Sequence, residues 1–200
     1  MGADIRCAIV SADELPPDDD WLGPRERAVL AGLRFSARRE SWRLGRHAAR
    51  RLLGADVEVL PSPAGPPCVW RGAMQLPVSL SISHRDEVAL CAVADGTVAL
   101  GCDVERVEPR SVAFLEDFLT PLERAAVTEA SDPEAQANLI WSAKESALKA
   151  LHTGLRRDTW ELEVTVGAAG ELVVDDLPNQ RRMRGAWWRD GGRVFTVVVA

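Results

Sequence analysis

Two short segments of this 200-residue chain carry side chains suited to a joint metal and phosphate site. The chain has two lysines and 22 arginines, and both lysines lie in the segment Trp141-Ser142-Ala143-Lys144-Glu145-Ser146-Ala147-Leu148-Lys149-Ala150. A lysine presents a compact point charge that suits phosphate, whereas an arginine presents a planar fork. The other segment, Gly101-Cys102-Asp103-Val104-Glu105, has two carboxylates at the end of a strand-like run. Together the segments indicate a divalent cation beside a phosphate.

The pair Asp103 and Glu105 is expected on one face of a strand, because side chains two residues apart point the same way. Two carboxylates this close repel each other unless a cation neutralises them. Mg²⁺ takes such oxygen ligands together with substrate phosphates. A solvated strand end before a turn would show the same pattern, so the pair alone leaves both interpretations open.

The lysine-bearing segment is predicted to be helical. Glu145 and Lys149 are four residues apart and share a helix face, whereas Lys144 lies about 100° around the helix from Glu145. An ordinary surface ion pair between Glu145 and Lys149 is the alternative. The combination of two strand carboxylates, a third carboxylate and both lysines favours a functional site.

Two other groups are suited to phosphate. Ser83 and His84 end an apolar strand, where a hydroxyl, backbone amides and an imidazole meet. An arginine stripe with 4-3-4 spacing lines one face of a predicted helix, which suits a terminal phosphate. Its members are Arg39, Arg43, Arg46 and Arg50. A locally hydrogen-bonded histidine and a solvated basic face remain the alternatives.

Composition excludes several classes of function. The net charge of −6 argues against general nucleic-acid binding. The four cysteines show no CxxC spacing, which disfavours a zinc site or a disulfide framework and fits a reducing, cytoplasmic compartment. We see no signal peptide, and no run approaches the roughly 18 apolar residues of a membrane span. We expect a monomer.

The predicted elements follow the order helices then strands, twice, which indicates an α+β fold of two similar subdomains, 1–107 and 108–200. Strands are predicted at 5–10, 78–83, 88–94, 162–166, 171–174, 185–188 and 194–199. Helices are predicted at 24–33, 36–53, 111–119, from 120, and 133–151. Proline-rich 60–67 is predicted to be a loop, and Asp95-Gly96 a hairpin turn into a strand at 97–105.

In this order, the motifs resemble those of the surfactin-type group of the 4′-phosphopantetheinyl transferase superfamily, over roughly residues 22–166. The matching stretches are Phe35…Arg39…Arg46, Ser79-Leu80-Ser81-Ile82-Ser83-His84, Gly101-Cys102-Asp103-Val104-Glu105, Phe118…Glu123 and the tryptophan-to-alanine segment 141–150. The joint occurrence of GxDxE and WxxKExxxK, preceded by SxSH, is what makes the resemblance specific.

The resemblance implies a pseudo-dimer with its active site where the two halves meet. It implies transfer of 4′-phosphopantetheine from coenzyme A to a serine of an apo acyl or peptidyl carrier protein, with release of 3′,5′-ADP. The roles by motif position are Mg²⁺ ligands for Asp103, Glu105 and Glu145; catalysis for Glu145, Lys149, His84 and Lys144; and coenzyme A contacts for Arg39, Arg46, Ser83, His84 and Lys149.

The sequence departs from the family pattern at three places. Pro66 stands where many members have a basic residue, Arg85-Asp86 follows His84, and Leu151-His152 occupies a stretch where a glycine is expected. None of these removes an implied metal ligand. Two other functions remain open: another Mg²⁺-dependent phosphotransferase or nuclease, and a non-catalytic carrier-protein-binding module on the same fold.

Overall fold

The computed structural model describes residues 4–62 and 65–200, and the chain divides into two units, Met1–Val98 and Ala99–Ala200. This division falls before the predicted one at 107/108. The reason is that the strand after residue 99 pairs with the last strand of the chain, with Asp103 opposite Thr196, and not with the strand that precedes it. The predicted hairpin through Asp95-Gly96 is therefore wrong.

Among its described residues, the first unit contains antiparallel strands and two α-helices. Its elements are β1 (Ile5–Ser11), α1 (Pro24–Ala31), α2 (Ser36–Leu53), β2 (Val57–Ser62), β3 (Gly65–Arg71), β4 (Met74–Gln75), β5 (Val78–Arg85) and β6 (Val88–Asp95). The strands form two sheets in the orders β1-β6-β5 and β2-β3-β4. Helix α2 ends at Gly54, which has a positive φ of 98° that favours glycine.

The predicted loop at 60–67 is wrong, because β2 and β3 pair there despite the prolines. The register shifts between Leu60 and Ser62, and this irregularity accommodates Pro61, which has no amide hydrogen to donate to a ladder. Two residues of the predicted loop, Pro63 and Ala64, lie outside the described residues.

The second unit contains three helices and one five-stranded antiparallel sheet among its described elements. These are β7 (Leu100–Arg106), α3 (Val112–Phe118), α4 (Pro121–Glu129), α5 (Pro133–Ala150), β8 (Leu162–Val166), β9 (Glu171–Asp176), β10 (Arg181–Asp190) and β11 (Arg193–Val199). The strand order is β7-β11-β10-β9-β8. The mixture of helices and antiparallel sheets confirms the α+β class.

Helix α5 begins and packs as its sequence dictates. Asp132 caps the helix by accepting a hydrogen bond from the Ala135 amide, and Pro133 occupies the first turn. Buried apolar residues of α5, among them Ile140, Ala143, Ala147 and Leu148, pack against the sheet. Within the described residues no helix is both long and apolar enough to cross a bilayer.

Candidate active site

Strand β7 lies at the edge of its sheet and presents alternate residues to helix α5. Gly101 faces the helix, since a Cβ atom there would overlap the Ser146 carbonyl oxygen and lie 2.7 Å from the Ala150 amide nitrogen. Asp103 and Glu105 share the face of Gly101 because strand side chains alternate. The glycine therefore lets the helix approach the backbone of β7 and brings its side chains against both carboxylates.

Helix α5 contributes Trp141, Glu145 and Lys149, which are spaced by four residues and so lie on one face. The Lys149 ammonium donates to the Asp103 carboxylate at 2.8 Å and to the Cys102 carbonyl at 3.0 Å. The Trp141 indole N–H donates to the Glu105 carboxylate at 3.0 Å. Glu145 lies between these two contacts along the helix face.

The three carboxylates act on one another electrostatically. Burial raises the pKa of Glu145, and the negative charges of Asp103 and Glu105 raise it further, with a partial offset from Lys149. Burial disfavours the ammonium of Lys149, but the nearby negative charge, chiefly that of Asp103, outweighs it and holds the pKa of Lys149 above its ordinary value. This coupling shows that Glu145 belongs to the same cluster as the β7 pair.

A hydroxyl cluster fixes α5 on the sheet beside these residues. Thr196 of β11 contacts the hydroxyls of Ser142 at 2.9 Å and of Ser146 at 2.7 Å, and all three side chains are fully buried. Because buried hydroxyls are costly unless they are hydrogen-bonded, this cluster favours one position of the helix over the strand.

Glu105 is held by a residue that the sequence reasoning missed. Arg110, just after β7, donates to the Glu105 carboxylate at 3.1 Å and to the Asn138 side chain of α5 at 2.7 Å. Asn138 in turn donates to the backbone carbonyls of Glu108 and Glu134. Arg110 lies in a loop and belongs to no motif, so no pattern in the chain pointed to it.

Lys144 does not lie with the other predicted catalytic residues. Its side chain is 0% exposed, and its ammonium pairs with Glu123 at 2.8 Å. It also donates to the carbonyls of Thr159 and Leu162. An ammonium so enclosed cannot touch a substrate. Through these contacts, Lys144 instead links α5 to α4 and β8. Burial lowers the pKa of Lys144 and raises the pKa of Glu123.

The arginines of the predicted stripe contact other groups of the same chain. Arg39 donates to the Leu30 carbonyl at 2.7 Å and lies 3.8 Å from the Asp19 carboxylate. Arg46 is 8% exposed, donates to the Val59 carbonyl and stacks 4.0 Å from the Trp42 ring centroid. Burial lowers the pKa of Arg46 to about 10. These contacts make Arg46 part of the interior and leave Arg39 partly accessible.

Ser83 and His84 lie on strand β5 of the first unit, as predicted. Ser83 is buried and pairs in register with Leu90, and His84 is exposed opposite Ala89. Their roles in binding coenzyme A stay predictions.

The chemistry of the donor set at α5 and β7 fits Mg²⁺, since Asp103, Glu105 and Glu145 offer carboxylate oxygens that repel one another. Within residues 4–62 and 65–200, no group of three or more histidine, cysteine or acidic side chains is arranged to hold a metal ion as it stands. Asp103 is instead paired with Lys149, and Glu105 with Arg110. A bound cation would therefore compete with two protein cations.

The second unit can also be compared with known protein families. Residues 99–196 match the family model of the 4′-phosphopantetheinyl transferase superfamily. No curated protein matches the chain. The match to the superfamily includes Asp103, Glu105, Glu145 and Lys149, and it ends before the last four residues. It supports a transferase of the phosphopantetheinyl type.

Proposed function

We propose that this protein transfers the 4′-phosphopantetheine group from coenzyme A to a serine of an apo carrier protein and releases 3′,5′-ADP. The observation that carries the proposal is the close approach of α5 to β7 at Gly101, which brings the Lys149 ammonium to Asp103 and turns the helix face of Glu145 toward the β7 pair. This cluster lies inside the segment that matches the superfamily. A site of that composition suits a diphosphate substrate with a divalent cation.

Asp103, Glu105 and Glu145 would hold Mg²⁺ in this proposal. When bound, the cation would neutralise the negative charge that grows on the diphosphate as the leaving group departs. The position of all three ligands depends on α5 staying against β7, and the Thr196 hydroxyl cluster and the Glu123–Lys144 pair maintain that contact.

Lys149 is the phosphate contact in this scheme. Its side chain is 29% exposed, and its ammonium donates to Asp103 and to the Cys102 carbonyl, which leaves its third proton for a phosphate oxygen. A fixed ammonium stabilises negative charge on the phosphate oxygens in the transition state. The raised pKa of Lys149 keeps it protonated at neutral pH.

Glu145 is the proposed base. The carrier serine oxygen forms a bond to the phosphorus that bears the pantetheine arm, and the bond from that phosphorus to the oxygen of 3′,5′-ADP breaks. The serine proton passes to the Glu145 carboxylate. Without a bound cation, burial and the charges of Asp103 and Glu105 raise the pKa of Glu145.

The finer assignments use the motifs of the first unit together with those of the second. The surfactin-type group is proposed from SxSH together with GxDxE and WxxKExxxK. Ser83, His84 and Arg39 are the proposed coenzyme A contacts there. Arg46 is a weaker candidate, because its guanidinium donates to the Val59 carbonyl and stacks on Trp42.

The proposal is tested by incubating the protein with coenzyme A, Mg²⁺ and several apo carrier proteins. Mass spectrometry should show one phosphopantetheine group added to a carrier, together with equal release of 3′,5′-ADP. Glu145→Gln, which keeps size and removes the base, should lose most of the activity. Cleavage of other nucleotides without carrier modification would favour the phosphotransferase or nuclease alternative. Carrier binding without any mass change would favour a non-catalytic module.

A further inference from the structure

Arg110 is fixed by contacts on every side of its guanidinium. Its side chain is 14% exposed, and it donates to Glu105 and Asn138. A third nitrogen lies 3.5 Å from the Glu108 carboxylate, and the guanidinium lies 4.8 Å from the Phe114 ring centroid. Because so many groups hold it, the Arg110 guanidinium stays beside Glu105 and does not swing freely into solvent.

Two protein cations therefore hold two of the three clustered carboxylates. Lys149 holds Asp103 at 2.8 Å, and Arg110 holds Glu105 at 3.1 Å. Like charges so close are costly unless they are neutralised, and a positive charge a few Å away favours the ionised carboxylate. The same positive charge repels a dication that approaches the same carboxylate.

We propose that Arg110 is a positioning residue that serves as an internal countercharge for the acidic cluster. It holds the Glu105 carboxylate in place when no divalent cation is bound, and it weakens the affinity of the cluster for a free cation. The cation then binds well only when the diphosphate of the co-substrate adds negative charge. This inference rests on the proposed Mg²⁺ site.

A different role for Arg110 would have the opposite signature. If Arg110 only oriented Glu105 as a ligand, its removal would weaken metal binding by about 10- to 100-fold, as is typical for partners of metal ligands. If Arg110 is a countercharge, its removal should strengthen the binding of a free dication. The sign of the change separates the two roles.

The test is a titration of the protein with Mn²⁺ alone, with free Mn²⁺ measured by electron paramagnetic resonance. Arg110→Met should bind Mn²⁺ about tenfold or more tightly than the unsubstituted protein, since one positive charge is removed beside the dication. Arg110→Lys, which keeps the charge and loses the fork, should stay within about threefold. Arg182→Met removes a charge that pairs with Asp175 and should leave the affinity unchanged.

Weaker or unchanged binding by Arg110→Met would overturn the countercharge role. If Arg110→Met does not fold, Arg110→Lys decides alone, and a loss or gain of affinity beyond about threefold would overturn the countercharge role. Failure of the unsubstituted protein and both variants to bind Mn²⁺, even with coenzyme A present, would refute the metal site itself and so the proposed function. Added coenzyme A should tighten Mn²⁺ binding more for the unsubstituted protein than for Arg110→Met.

Discussion

The contact at Gly101 can be tested by adding one methyl group. In Gly101→Ala the new Cβ would overlap the Ser146 carbonyl and lie 2.7 Å from the Ala150 amide nitrogen. An ordinary contact with a carbon atom is about 3.5 to 4.0 Å, so relieving the overlap with the Ser146 carbonyl requires α5 to move from β7 by more than about 1 Å. A 1 Å misplacement of catalytic groups can cost about 100-fold in rate, and overpacking of this kind about 1–3 kcal/mol of stability.

The assay is carrier modification followed by mass spectrometry, with the folded fraction of each protein checked by circular dichroism. The control is Gly32→Ala, where the nearest atom to the added Cβ is the Val29 carbonyl oxygen at 3.4 Å, an ordinary contact. That variant should keep full activity and change stability by less than about 1 kcal/mol. Full activity in folded Gly101→Ala would refute the claim that this contact positions the site.

Three further predictions concern ion pairs of the second unit. Lys144→Met should lower the free energy of unfolding by about 3–5 kcal/mol in urea denaturation, because it leaves Glu123 buried without its cation. Lys149→Met should cut the transfer rate by about 100-fold or more while the fold persists, since its ammonium is partly exposed and stabilises transition-state charge. Hydrogen bonds from Arg157 lower the pKa of Asp176 to about 2, so its stabilisation is present above about pH 4 and is lost as pH falls through 2. The stability difference from Asp176→Asn should therefore shrink by about 2 kcal/mol between pH 5 and pH 2 in urea denaturation.

Controls for these predictions use the exposed pair of Arg182 and Asp175. Arg182→Met should cost little stability, as the loss of an exposed surface pair does. A cost that small for Lys144→Met would contradict its buried role. Near-normal transfer by Lys149→Met would remove it from the phosphate site, and a pH-independent difference for Asp176→Asn would disprove the pairing argument.

Helical geometry predicted where the two lysines point, and the structure agrees. The 100° rotation between Lys144 and Glu145 turns Lys144 into the interior against Glu123, whereas Lys149 lies against Asp103. The sequence did not reveal that the Lys144 side chain is buried, because its burial depends on β8 and α4, which lie elsewhere in the chain. The catalytic expectation for Lys144 therefore gains no support.

The arginine stripe shows the same limit in the first unit. Spacing predicted one shared helix face, but not which groups would lie against it. Asp19 and the carbonyls of Pro16 and Asp18 in the loop before α1 contact Arg43, and Leu30 contacts Arg39. Because loop residues follow no periodic sequence pattern, their contacts with the stripe could not be predicted. Neither interpretation of the stripe, as a phosphate site or as a solvated basic face, included these contacts.

Strand pairing was the least predictable feature. The turn chemistry of Asp95-Gly96 is typical of a hairpin, and Gly96 does adopt a positive φ of 75°. The chain nevertheless continues into β7, which pairs with β11 about 90 residues later. Local turn residues indicate that the chain reverses, but they do not specify the strand partner. The same pairing explains why the acidic pair belongs to the second unit.

The most direct test of the account is a crystal structure of the protein with Mn²⁺ and coenzyme A, with the cation located by its anomalous scattering. We predict a Mn²⁺ peak at bonding distance, about 2.0–2.3 Å, from one carboxylate oxygen each of Asp103, Glu105 and Glu145. The Lys149 ammonium should contact the diphosphate. A cation bound elsewhere, or Glu145 left outside its coordination shell, would contradict the claim that α5 and β7 build one catalytic site.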